Sequence, residues 1–191
     1  MPDGIRTRKT VGGTTTDYFT NGSTILAEKT GSNVIWYIYD SEGDILGLVY
    51  NGTPYYYLKN AQGYVVSIVD ASMNVVGSYT YDAWGKVISA SGSMAQINPI
   101  RYRGYYYDTE TGFYSLQSRY YDPETGRFIN ADDTKVLIST IIDITDKNLF
   151  AYCDNNPILR EDVSGERWSW GQFFAGVAIV AGIVAVGALV I

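Results

Sequence analysis

The chain has 191 residues, a net charge of −6, no histidine and one cysteine, Cys153. The absence of histidine excludes Ser-His-Asp and Cys-His catalysis, and a single cysteine excludes an internal disulfide and a cysteine-rich zinc site. The negative charge argues against nucleic-acid binding, which depends on Lys and Arg facing phosphates. We expect no cofactor and no metal, and we expect Cys153 to be a small buried hydrophobic residue.

The N-terminal residues 1–9 include basic side chains but no apolar run after them. This pattern is not a secretory signal peptide. The segment reads instead as the interior of a longer repetitive chain. The 18 tyrosines and 20 glycines favour a β-protein with many hairpins.

Residues 1–98 are predicted to form a ladder of β-hairpins, because Asn-Gly and similar pairs separate apolar runs. The candidate turns are Gly12–Gly13, Asn21–Gly22, Ser41–Gly43, Asn51–Gly52, Asn60–Gly63, Ser72–Asn74 and Ala83–Gly85. The strand-like runs are Val34–Tyr39, Ile45–Tyr50, Tyr55–Leu58, Tyr64–Val69, Val75–Tyr81 and Lys86–Ser89.

A unit of about twenty residues recurs within these hairpins. The turn glycines Gly43, Gly63 and Gly85 are 20 and 22 residues apart. Units of this length bury a core only by stacking on their neighbours. Their open sheet edges normally have to be covered, so we expect a larger parent protein or self-association.

The small polar residues 91–98 are predicted to be a loop, and one phrase then occurs twice. Tyr106–Gly112 (YYDTETG) returns 14 residues later as Tyr120–Gly126 (YYDPETG). Asp can bond its own backbone and Gly accepts positive φ, so each copy predicts a hairpin corner. Residues 134–146 fit a strand pair or a helix, and residues 147–154 fit a short helix or turn ended by Asn155-Asn156-Pro157.

The last segment, Phe173–Ile191, is uncharged over 19 residues. As a helix it would be roughly 28 Å long, close to the hydrocarbon thickness of a bilayer. Trp168 and Trp170 precede it, where aromatic anchors are expected at a membrane interface. We predict an apolar membrane-inserting helix; the alternative is a buried helix of a soluble domain.

The stretch Ile100–Gly165 resembles the RHS repeat-associated core domain, which closes RHS/YD-repeat proteins. The ordered phrases that carry the resemblance are Tyr102–Asp108, Gln117–Pro123, Gly126–Asp132, Asn148–Cys153 and Asn155–Pro157. The residues before it resemble YD repeats. The resemblance implies hairpins over 1–98, a core domain over 99–165 and the start of a variable C-terminal region over 166–191.

The resemblance also implies a fold class and a role. The expected fold is mainly β, with antiparallel hairpins of a shell fragment plus the apolar C-terminal helix. The core would close a β-shell that encapsulates or presents a toxin-type C-terminal region, and this chain would be a truncated or fragment copy. The motif residues with structural roles would be Tyr107, Asp108, Gly112, Tyr121, Asp122, Pro123, Gly126, Arg127, Asn156, Pro157 and Gly165.

The implied partners are the rest of a larger shell, the chain's own C-terminal cargo and a membrane contacted by Phe173–Ile191. An immunity protein and a surface glycan are left open. The implied location is outside a bacterial cell or on its surface. These expectations come from the resemblance and from the apolar segment.

Some members of the family cleave themselves after the core, with two aspartates as the implied machinery. The matching residues here are Asp132 and Asp162, with the cut after Glu166. Paired carboxylates can act as base and acid because each shifts the pKa of the other. This chain departs from the family phrase at Asp133, Val163 and Glu166. The alternative is that both aspartates cap turns.

Two further interpretations concern the doubled phrase. Its tyrosines, Tyr105, Tyr106, Tyr107, Tyr120 and Tyr121, form either a glycan-binding surface or an inward-facing, hydrogen-bonded row. Its acids, Asp108, Glu110, Asp122 and Glu124, are oxygen ligands of the kind calcium prefers, spread over two turns. We expect Arg101, Arg103, Arg119 and Arg127 to pair with these acids.

Overall fold

The chain is mainly β and antiparallel, as the sequence predicts. The computed structural model describes residues 5–131, 148–162, 164–165 and the backbone of 169–170. The first sheet contains nine strands, each paired with the next in chain order. They are β1 (Arg8–Val11), β2 (Thr14–Asn21), β3 (Thr24–Thr30), β4 (Asn33–Tyr39), β5 (Ile45–Tyr50), β6 (Thr53–Lys59), β7 (Val65–Val69), β8 (Val75–Tyr81) and β9 (Val87–Ser91).

Side-chain oxygens close four turns of this sheet in the same way. The residues that accept are Asp40, Asn60, Asp70 and Asp82. In each turn Oδ1 accepts the backbone N–H groups two and four residues later. The residue three positions on has φ between 64° and 92°. It is glycine in three turns, where positive φ costs little, and Met73 in the fourth.

One extra residue bulges out of five of the strand pairs. Between β4 and β5, Ile38 and Tyr39 face Gly47 and Ile45, which leaves Leu46 without a cross-strand partner. The equivalent residues are Leu26, Val66, Val76 and Ile88. Leu26, Leu46 and Val66 lie twenty residues apart. The predicted repeat of about twenty residues therefore contains one such bulge in each copy. Bulges of this kind bend a strand and increase its local twist.

The inner face of the first sheet carries the main apolar core. Its buried strand residues include Tyr18, Ile35, Tyr37, Leu48, Tyr57, Ile68 and Tyr79. A short helix, α1 (Ser93–Ile97), packs on this face through Met94 and Ala95. The predicted loop at 91–98 is therefore wrong for residues 93–97. Gly77 permits the close approach, because a Cβ there would lie 2.8 Å from the backbone nitrogen of Ala95.

The doubled phrase forms a second, four-stranded sheet. Its strands are β10 (Tyr106–Asp108), β11 (Phe113–Leu116), β12 (Arg119–Asp122) and β13 (Arg127–Phe128). The two predicted hairpin corners are confirmed, with Gly112 and Gly126 at φ 77° and 68°. Single 3₁₀ turns cover Tyr102–Gly104 and Cys153–Asn155, and β14 (Arg160–Glu161) pairs with β15 (Ser169–Trp170). Cys153 is buried, as predicted.

The predicted strands from Val34 onward agree with β4–β9 to within two residues. The first three strands are missing from that prediction because their polar, threonine-rich sequences show weak alternation. No helix in the described part of the chain is long and apolar enough to cross a membrane. The predicted membrane helix Phe173–Ile191 and the undecided segment 134–146 lie outside the described residues.

Candidate closing site

The end of the core packs on the two-residue turn between β11 and β12. Ser118 donates from both its N–H and its hydroxyl to the carbonyl oxygen of Ser164, at 3.3 and 2.8 Å. Gly165 has φ 74°, and a Cβ there would lie 2.6 Å from the carbonyl oxygen of Leu116. Glycine at this position therefore lets the two backbones meet.

Asp162 is buried where this segment begins, with its side chain 3% exposed. Its Oδ1 accepts the N–H of Gly165 at 2.8 Å, which closes the local turn. Its backbone carbonyl accepts the hydroxyl of Tyr105 at 2.8 Å, and its N–H donates back to that hydroxyl at 3.3 Å. Both the side chain and the backbone of Asp162 are thus fixed by the core.

Arg119 connects three separate segments through one buried guanidinium. Its Nε donates to the carbonyl oxygen of Gly165, and its Nη1 donates to the carbonyl oxygen of Leu149 at 3.2 Å. Its Nη2 lies 3.4 Å from Oδ2 of Asp162. The guanidinium carbon is 3.6 Å from the centroid of the Phe128 ring, a cation–π contact.

Three buried tyrosines fasten the core to the first sheet. Tyr102, Tyr121 and Tyr114 donate to the successive carbonyl oxygens of the turn Ala83–Gly85, at 3.1, 2.7 and 2.8 Å. Burial raises the pKa of all three hydroxyls. They therefore stay protonated and keep donating across the ordinary pH range.

This arrangement confirms the inward-facing interpretation of the tyrosines. Tyr105, Tyr106 and Tyr121 are buried, whereas Tyr120 is 39% exposed and Tyr107 half-buried. The three buried rings offer no face to a sugar, and a glycan-binding surface that uses Tyr107 and Tyr120 stays a prediction.

The other motif residues take backbone roles. Asp122 caps its turn by accepting the N–H two residues later at 2.9 Å, and the adjacent Pro123 is buried. The strand residue Arg127 is exposed and forms a β-bridge with residue 151. Asn156 Oδ1 accepts the N–H three residues later at 3.3 Å, and the carbonyl oxygen of Pro157 accepts a bond from an arginine.

The predicted pairing of arginines with the acids of the doubled phrase is wrong for three of them. Arg103 pairs with Glu161 at 3.0 Å, and Arg119 lies against Asp162. Arg101 stacks over a tyrosine ring, 4.3 Å from its centroid. Burial next to an aromatic core, rather than proximity in sequence, determines these contacts.

The acids of the doubled phrase meet other cations instead. Asp108 pairs with Arg6 and Lys9, Lys9 also pairs with Glu110, and Glu124 pairs with a lysine of the first sheet. These cations neutralise carboxylates that the calcium interpretation would need. Among the described residues there is no group of three acidic or cysteine side chains that could hold a metal ion.

The self-cleavage prediction rests partly on residues that the structure does not describe. Asp132 and Glu166 both lie outside the described residues, as does Val163. The sequence analysis did not predict the contact of Asp162 with Arg119. The two residues are 43 positions apart, and no local spacing joins them.

A nine-stranded sheet of consecutive hairpins, with a tyrosine-rich second sheet packed against it, is the architecture of a YD-repeat shell fragment. The sequence pattern of the Teneurin YD-shell family matches residues 19–158, and the chain belongs to this family. The predicted resemblance to RHS shell proteins is thereby confirmed.

Curated relatives include bacterial nucleases. The tRNA3(Ser)-specific nuclease WapA of Bacillus spizizenii is 38% identical over 184 residues, covering 94% of this chain and 8% of that protein. The tRNA nuclease WapA of Bacillus subtilis is 37% identical over 184 residues, with the same coverage of 94% and 8%. The chain therefore spans less than a tenth of the length of these relatives.

Solved structures share the fold at low identity. A Tc holotoxin pore of Photorhabdus luminescens matches with a TM-score of 0.63 at 19% identity, over 86% of this chain and 8% of that one. The crystal structure of TcdB2-TccC3-TEV matches with a TM-score of 0.62 at 19% identity, over 85% and 8%. At this identity the likeness shows the fold alone.

Proposed function

We propose that the chain is the closing segment of a YD-repeat β-shell and that it anchors the C-terminal region following the core. The observation that carries the proposal is the docking of Ser164 on the β11–β12 turn and of Asp162 and Gly165 on Arg119. The proposed units are hairpins over 1–98, a core over 99–165 and a variable region over 166–191.

The first sheet supplies the wall in this proposal. Its inner face is covered by α1 and the tyrosine-rich core, which would close one end of a curled ribbon. Within the described residues its first and last strands pair on one side only, so neighbouring strands can extend it. The partner is therefore the remainder of a longer shell, in keeping with the 8% coverage of the relatives.

A proteolysis experiment tests the anchoring role. Arg119→Met removes the guanidinium that bonds Asp162 and the carbonyl oxygen of Gly165, so the residues on both sides of this segment should become accessible. We expect trypsin to cut faster after Arg160 and Arg167 in this variant, while the first sheet stays protected. Mass spectrometry of the fragments monitors the cleavage. Arg127→Met is the control, because Arg127 is exposed in the same sheet. Equal cleavage rates in Arg119→Met and wild type would contradict the proposal.

Self-cleavage is a second candidate, supported by the surroundings of Asp162. This carboxylate is buried, and Arg119 bonds the carbonyl oxygen of Gly165, one residue before the predicted cut. This bond fixes the backbone one residue before the carbonyl of Glu166, which is the group that water would attack. In this candidate Asp132 and Asp162 activate water, and hydrolysis after Glu166 leaves a new carboxylate and a new amine.

Intact mass spectrometry of the chain carrying a C-terminal soluble tag tests this candidate. A wild-type break after Glu166 that is lost in both Asp132→Asn and Asp162→Asn would support it. Asp154→Asn, which alters an exposed carboxylate of the core, is the control. An uncut wild-type chain with a folded sheet would rule the candidate out and leave the anchoring role.

The segment Phe173–Ile191 extends the proposal to a membrane. Its uncharged sequence supports insertion of the C-terminal region into a bilayer, outside or at the surface of a bacterial cell. The full chain should float with liposomes, and a variant with Ile179→Asp and Val184→Asp should remain at the bottom of the gradient. Equal flotation of the two proteins would contradict insertion.

A further inference from the structure

Two cations at the start of the chain meet two carboxylates of the core. Nη1 and Nη2 of Arg6 donate to the two carboxylate oxygens of Asp108, at 2.8 and 2.6 Å, across 102 residues of sequence. Nζ of Lys9 lies 2.8 Å from Oδ1 of Asp108 and 2.8 Å from Oε1 of Glu110. We call these four residues the clasp.

The clasp is enclosed by tyrosine rings. The guanidinium carbon of Arg6 lies 5.5 to 5.6 Å from the ring centroids of Tyr18, Tyr106 and Tyr120. Its Nη2 also donates to the Tyr120 hydroxyl at 2.6 Å. Burial alone would lower the pKa of Arg6 and Lys9, but the hydrogen bonds that they donate to Asp108 and to its neighbours, together with charge attraction, raise both pKa values. Both cations therefore stay charged, and the Asp108 carboxylate is their shared counter-ion.

Few apolar contacts hold the first strand in place. β1 has four residues, none of them buried, and its Val11 side chain is 42% exposed. By contrast, Val65 and Ile68 of β7 are fully buried. The side chains of β1 therefore bury little apolar surface of their own, and the strand is retained by its ladder to β2, by the exposed Arg8–Asp17 pair and by the clasp.

We propose that the clasp is a release point for the first strand. Opening it frees Arg6–Val11 as a unit from the core, while the other eight strands stay folded. Local opening of this kind occurs where few apolar contacts are lost. Release leaves the outer edge of β2 unpaired, and an unpaired edge accepts another extended strand.

Hydrogen exchange of the full chain, followed by mass spectrometry, tests the proposal. Asp108→Asn removes the shared counter-ion, and a buried cation left without its partner is strongly unfavourable. We expect amides of β1 and of the facing edge of β2 to exchange about tenfold faster or more, with β5–β8 unchanged. Asp17→Asn is the matched control, because it breaks the exposed Arg8–Asp17 pair between the same two strands. It should leave exchange within about twofold of wild type.

Two results would overturn the proposal. One is unchanged exchange in β1 of Asp108→Asn. The other is equal acceleration in β5–β8, because the clasp would then support the whole fold rather than a single strand. If Asp108→Asn does not fold, Arg6→Met is measured in its place. It removes one clasp cation and leaves Lys9 to neutralise Asp108, and the same two results decide.

Discussion

We expect the buried carboxyl group of Glu28 to make the stability of this fold depend on pH. Its side chain accepts the Tyr106 hydroxyl at 2.7 Å, yet burial raises its pKa above the ordinary value of 4.5. A carboxyl group whose pKa is higher in the folded state stabilises the protein below its unfolded pKa. That stabilisation is lost as the pH rises through the folded pKa.

Glu28→Gln should remove this dependence. The free energy of unfolding of the wild type should fall, relative to the variant, as the pH rises from below 4.5 towards neutrality. Urea unfolding of both proteins from pH 4 to pH 8 measures the difference. Parallel profiles would mean that Glu28 titrates alike in the folded and unfolded states.

The contribution of a single tyrosine hydroxyl to the free energy of unfolding should also be measurable where the two sheets meet. Tyr121→Phe leaves the carbonyl oxygen of Trp84 without its 2.7 Å donor, which should cost about 1–2 kcal/mol of unfolding free energy. Tyr55→Phe is the control, because Tyr55 is only half-buried. Denaturant unfolding measures both, and an equal cost would mean that the bond to Trp84 contributes no more than an ordinary tyrosine hydroxyl.

At the scale of elements, the four similar turns predict an improvement at Met73. It occupies the positive-φ position, at 64°, where the other three turns have glycine. Met73→Gly should be more stable than Met73→Ala by about 0.5–1 kcal/mol, because glycine relieves the left-handed strain but adds freedom to the unfolded chain. Thermal unfolding measures the difference. The same pair of substitutions at Ser72 should favour alanine, and a matching preference there would refute the strain argument.

Predictability differed between these elements for physical reasons. The turns at Gly43, Gly63 and Gly85 were predictable because their chemistry is local. The helix α1 was not, since its packing depends on the missing side chain of Gly77, far away in sequence. The contact of Arg119 with Asp162 was unpredictable for the same reason. A contact between buried charged residues that are far apart in sequence produces no periodic pattern from which it could be predicted.

At the scale of the whole molecule, neither sheet should be stable alone. The main apolar cluster includes Ile100 and Tyr106 from the core, and three core tyrosines bond the turn Ala83–Gly85. A chain ending at Asn98 exposes this inner face. This shortened chain should lose the near-ultraviolet circular dichroism signal of packed tyrosines. It should also self-associate and elute earlier than a monomer in size-exclusion chromatography. A monomeric chain with an intact tyrosine signal would contradict this dependence.

The recurring bulges at Leu26, Leu46 and Val66 restrict how such a protein can change in length. Side chains alternate between the two faces of a strand, so inserting one residue inside a strand would reverse the faces of everything up to the next turn. Duplicating or deleting a whole hairpin unit keeps every tyrosine on its own side and every bend in phase. A ribbon of this kind should therefore grow and shrink over evolution in steps of about twenty residues.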